Sequence, residues 1–89
     1  MEHKDFSQLL YKAVMTLQTP EECQAFFEDI CTPKEIRSLA QRFAVAKMLT
    51  EGAVYNEIVQ ETGASTATVS RVSRTHSEGC KTAIDRMKG

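Results

Sequence analysis

Apolar positions along this chain recur at intervals of three and four almost throughout. That period predicts a succession of amphipathic helices. Phe6, Leu9, Leu10, Ala13, Val14 and Leu17 make the first stripe, with Asp5 near its start. Thr19-Pro20-Glu21-Glu22 is a helix start: a threonine cap, a proline in the first turn and a glutamate three residues after the cap. Cys23, Phe26, Phe27 and Ile30 form the stripe of that second helix. Thr32-Pro33-Lys34-Glu35 repeats the start signal. The third helix carries Ile36, Leu39, Ala40, Phe43, Val45, Ala46, Met48 and Leu49 and stops near Gly52. Its apolar residues cover much of its circumference, which makes it the expected central helix. Last, Cys80, Ala83, Ile84 and Met87 fit one more stripe. The expected fold is all-α, about six short helices in a single domain over residues 1–89.

Between the third and last helices, residues 54–74 have a distinct form. Ile58, Val59 and Thr62 lie on one stripe, and Gly63 follows where a tight turn needs a residue that tolerates positive φ. Ala64 is small enough for two helices to cross closely, and Ser65 is a good N-cap. Val69 and Val72 then face back onto the first helix of the pair. Ser65, Thr66, Ala67, Ser70, Arg71 and Arg74 point away from it. This is the pattern of a helix-turn-helix whose second helix enters a DNA major groove. The blander alternative is a plain helical hairpin. A second helix with two arginines and no acidic residue is unusual for a merely solvated face.

Net charge is −1, low for a DNA binder, but its distribution changes the picture. Residues 1–30 sum to −4, 31–50 to +3, 51–64 to −3 and 65–89 to +3. Positive charge gathers in the third helix (Lys34, Arg37, Arg42, Lys47) and from the recognition helix onward. The modest total implies few non-specific phosphate contacts.

Eighty-nine residues can bury only a thin core. Phe6, Leu9, Leu10, Leu17, Phe26 and Phe27 give the N-terminal half more apolar surface than its length can cover. Residues 5–31 are therefore expected to dimerise, with 32–51 central and 79–88 a C-terminal helix. The alternative is a monomer with these side chains folded inward. Cys23, Cys31 and Cys80 are odd in number, and Cys23 and Cys80 sit on apolar stripes, so free thiols are expected. His3 and His76 are isolated, and no metal set is spaced for binding. No segment is apolar enough to span a membrane, and the N-terminus lacks the shape of a signal peptide, so a cytoplasmic location is the default expectation. Paired carboxylates, a nucleophile with a placed base and a phosphate loop are all missing, so an enzyme is not expected.

The segment from Thr32 to about Thr75 resembles the Trp repressor family. The matching pieces are Thr-Pro-Lys-Glu at 32–35, Leu39, Gln41-Arg42, Gly52, Glu57-Ile58, Gly63-Ala64 and Ala67-Thr68-Val69-Ser70-Arg71. Their order and spacing hold over about half the chain, and the chain looks closest to a Trp-repressor-related branch. The resemblance implies an intertwined, all-helical homodimer that binds operator DNA and regulates transcription. It implies that Arg42 and Arg71 occupy the positions whose arginines sandwich the co-repressor's indole, with Thr32 framing that site. Two departures bear on the ligand. The family has glycine after the second arginine, where this chain has Val72. The stretch from Gly52 to Gly63 is one residue shorter. Val72 is read as a built-in filler, giving a protein that needs no tryptophan. A different small co-repressor stays open.

The expected function is a sequence-specific, dimeric transcription regulator, a repressor, on double-stranded DNA. Thr66, Ser70 and Arg71 are the base-edge candidates, and Ala67 offers a methyl group to thymine. Ser65, Thr68 and Arg74 mainly hold phosphates. Arg42 could instead be a surface ion pair, and Arg71 a plain backbone contact. The competing function is a protein-interaction module that reuses the fold.

Overall fold

The computed structural model describes residues 4–75 and 78–89. His3 and His76 lie outside them. Among the described residues six helices follow one another: α1 (Ser7–Val14), α2 (Pro20–Ile30), α3 (Pro33–Thr50), α4 (Tyr55–Thr62), α5 (Thr66–Thr75) and α6 (Glu78–Lys88). No described residue lies in a strand. The chain divides into two compact units, one reaching Pro33 and one spanning Lys34–Gly89.

In the N-terminal unit, Asp5 serves the start of α1. Its Oδ1 accepts from the Ser7 amide at 2.8 Å and the Ser7 hydroxyl at 2.6 Å. The hydroxyl bond, then the amide bond, holds the Asp5 carboxyl below its ordinary range. The helix is shorter than its apolar stripe. After Val14 the chain tightens into i→i+3 turns, Thr16 to Ala13 and Leu17 to Val14, so Leu17 lies outside α1. The cause is close by. Thr19 precedes Pro20 and is extended, as a residue before proline prefers. Thr19 Oγ1 then accepts from the Glu22 amide at 3.1 Å. Glu22 reaches back to the Gln18 amide at 2.8 Å, one residue before the cap itself.

Neither α1 nor α2 buries a residue. Leu9 is 66% exposed, Phe6 64% and Met15 81%, while Leu17, Phe26 and Phe27 are half-buried. Phe26 and Phe27 meet edge to face at 5.3 Å.

The C-terminal unit holds the core. Val45, Ile58, Ala64 and Val69 form one buried cluster, with Met48, Leu49, Ala53, Val59 and Val72 packed against it. Ala46 and Ile84 are buried as well. Burial in α3 is confined to its second half. Leu39, expected inside, is 49% exposed. A Schellman motif ends α3: the Ala53 amide bonds to Met48 O and the Gly52 amide to Leu49 O, with Gly52 at φ +85°. No helix among the described residues is long and apolar enough to cross a membrane. Cys23, Cys31 and Cys80 are free and half-buried, and the described residues hold no metal-ligating group of three or more.

Candidate nucleic-acid interface

The site is built on the turn between α4 and α5. Gly63 ends α4 in the left-handed conformation at φ +73°, which glycine adopts without a Cβ clash. Its amide bonds to Val59 O at 2.9 Å. Thr62 Oγ1 donates to Ile58 O at 2.7 Å and accepts from the Ala64 amide at 3.1 Å. Ala64 is buried, which sets the close crossing expected of it. Ser65 Oγ accepts from the Thr68 amide at 3.1 Å and so caps α5. The capping hydroxyl and the Thr68 hydroxyl also bond at 3.1 Å. With Ile58 and Val69 both fully buried, apolar contact fixes α4 against α5.

The remaining faces of α5 turn outward. Ser65, Thr66, Ala67, Arg71 and Arg74 are exposed, and Thr68 and Ser70 are half-buried. The helix carries no acidic residue.

A second feature lies between α3 and α5. Arg42, Arg71 and Val72 come together at a hollow of about 410 Å³, with Ser38, Gln41, Thr68 and Thr75. Among the described residues, its lining has two guanidinium groups and no carboxylate. Arg42 Nη2 donates to Ser38 Oγ at 3.0 Å, and the Thr75 hydroxyl donates to Arg71 O at 2.9 Å. Thr32 belongs to the N-terminal unit. Val72 is half-buried, packed on the core, and borders this hollow on one side. Arg42, Val72 and Thr75 also border a mainly apolar hollow of about 440 Å³ with Leu39, Phe43, Ala46 and Cys80.

Gln41 is a positioning residue, a role that its spacing in the sequence does not reveal. Its amide donates to Thr62 O at 3.1 Å and so braces α3 against the α4–α5 turn. Register places Ser38, Gln41 and Thr75 on the same helix faces as the two arginines, and the crossing of α3 and α5 brings those faces together. Ser38, Gln41 and Arg42 lie at i, i+3 and i+4, and Thr68, Arg71, Val72 and Thr75 at i, i+3, i+4 and i+7.

With this geometry in place, comparison with known proteins decides the lineage. The family model of the Trp repressor protein matches residues 5–88. The chain belongs to the Trp repressor family. It is 51% identical over 82 residues to "Uncharacterized protein YerC" of Bacillus subtilis (strain 168), covering 89% of this chain and 79% of that protein. Among solved structures it resembles a TrpR like protein from Eubacterium eligens ATCC 27750. That match has a TM-score of 0.86 and 45% identity, over 91% of this chain and 87% of the other. It also resembles a Staphylococcus aureus chain with a TM-score of 0.84 and 43% identity, over 97% and 96% of the two chains. Trp repressor family membership accounts for the six helices and for the α4–Gly63–α5 pair at the centre of the C-terminal unit.

Proposed function

We propose that the protein is a sequence-specific DNA-binding transcription regulator, a repressor, that reads its operator as a homodimer through α4 and α5. The observation that carries this reading is the outer face of α5, where hydroxyls and two arginines stand on a helix fixed from behind by Ile58, Ala64 and Val69. Family membership supports the same function. In this reading Thr66, Ser70 and Arg71 meet base edges, Ala67 meets a thymine methyl group, and Ser65, Thr68 and Arg74 hold phosphates.

The homodimer is supported by the N-terminal unit. Two helices that bury nothing, with Leu9 exposed on α1 and Phe6 and Met15 exposed at its ends, present the apolar area that a second copy would cover. A two-fold reader also gains affinity from two half-sites. The reader acts in the cytoplasm.

Tryptophan is not required in this reading. Val72 packs on the core with its branched side chain at the border of the Arg42–Arg71 hollow, in the position where the family's glycine leaves room. Isothermal calorimetry of the purified protein with tryptophan is expected to give no binding in the micromolar range. Micromolar binding would show that Val72 does not fill the site.

The test of the function is selection of sites from randomised duplex DNA with purified protein and no added ligand. Enrichment of a palindrome is expected. No enrichment alone but enrichment with added tryptophan would remove the ligand-independent reading. No enrichment under either condition, nor with cell-extract metabolites added, would remove the DNA-reading function.

A further inference from the structure

The first half of α3 carries a basic feature that lies outside the surface assigned to reading bases. Lys34, Arg37, Ser38 and Gln41 follow at i, i+3, i+4 and i+7, so they share one face of the helix. They line a hollow of about 430 Å³. Ser38 and Gln41 also line the hollow of Arg42 and Arg71, so the two hollows adjoin. Gln41 ties this face to Thr62 O, immediately before the turn that launches α5. The Gln41 end of the face therefore lies beside the turn into α5, and Lys34 lies about 10 Å further back along α3.

Its charges are uncommitted. Lys34 and Arg37 are exposed, and neither bonds to or pairs with a described residue. Among the described residues, no carboxylate lines either hollow. The Ser38 hydroxyl accepts from Arg42, which leaves its own proton as a donor. Helix stability does not account for Lys34. It sits in the first turn of α3, where the macrodipole disfavours a cation.

We propose that Lys34 and Arg37 hold backbone phosphates of duplex DNA beside the segment read by α5, extending the footprint from α5 onto α3. The inference rests on the DNA-binding function proposed above. The two cations play different parts. The Lys34 ammonium is a mobile point charge, and the Arg37 guanidinium is a planar fork that matches two phosphate oxygens. Contacts of this kind fix register and add affinity without reading sequence.

The test is a double variant of the full chain, Lys34→Gln with Arg37→Gln, titrated with the selected duplex over a range of salt concentrations. Each phosphate contact removed makes the slope of log K against log salt shallower by about 0.9. The expected change is therefore roughly 2 for each bound subunit, with the preferred sequence unchanged. The melting temperature is expected to hold or rise, since a cation leaves a helix N-terminus. The charge-conserving swap Lys34→Arg with Arg37→Lys is expected to keep the wild-type slope. If the double Gln variant does not fold, each single variant is expected to lose about half the change. A folded double variant with the wild-type slope overturns the proposal, and so does a change in the preferred bases. Wild type that binds no duplex at all instead overturns the function beneath it, so the two failures are told apart.

Discussion

Arg71→Ala is expected to weaken binding to the preferred duplex by about 1–3 kcal/mol for each half-site and to flatten preference at one base position within it. A two-fold complex loses the contact twice, so the affinity falls by roughly 1.5 to 4 decades. The cause is geometric. Arg71 is exposed on the outer face of α5, and its guanidinium fork matches the two acceptors on the major-groove edge of guanine. The fold should survive, because alanine is the best helix former and the Thr75 bond at this position goes to the Arg71 backbone carbonyl. Competition binding against single-base variants of the selected site measures the effect. Weaker binding with full base preference would make Arg71 a backbone contact. The signature is the reverse of that expected for Lys34 and Arg37, where the salt slope changes and the preference stays.

Ile58→Ala carries the largest expected cost in stability, about 2–5 kcal/mol, from lost burial plus the cavity left behind. Ile58 is fully buried between Val45, Ala64 and Val69. The described residues bury only six apolar side chains, so few neighbours can close the gap. Small domains have about 5–15 kcal/mol in total, so this one change removes a large part of it. Urea unfolding followed by circular dichroism should show a much lower midpoint, while Ile58→Val should cost only about 0.5–1.5 kcal/mol. DNA binding should fall with the folded fraction, because Ile58 also holds α4 against α5, and excess duplex should restore part of it by mass action. An unchanged midpoint would mean that the stability of the protein does not depend on this cluster.

Much of this architecture was legible along the chain. The Thr19 and Ser65 caps, the left-handed Gly63 and the buried Ala64 each act over a few residues, and each stands where the pattern predicts. The inward positions of α5 were legible for the same reason: Val69 is buried and Val72 half-buried against the core. Leu17 was not legible. Its spacing continues the α1 stripe, but the extended Thr19 before Pro20 leaves too little chain, and i→i+3 turns replace the last helical turn. Leu39 was misplaced for another reason. An apolar residue at helical spacing marks a face, and only the arrangement of neighbouring helices determines whether that face is covered.

The amino-acid sequence by itself determined the caps and glycine turns that start and stop most of the helices, which face of each is apolar, and that two short helices meet at Gly63. Caps, prolines, glycines and the 3.6-residue period are local, so the information for them is local. Tertiary structure alone decided that Ser38, Gln41 and Arg42 of α3 meet Thr68, Arg71 and Thr75 of α5 in one hollow, and that the hollow of Lys34 and Arg37 adjoins it. Register assigns residues to the face of one helix. Which faces of two helices meet depends on how their side chains pack at the crossing, and that depends on residues far apart in the chain.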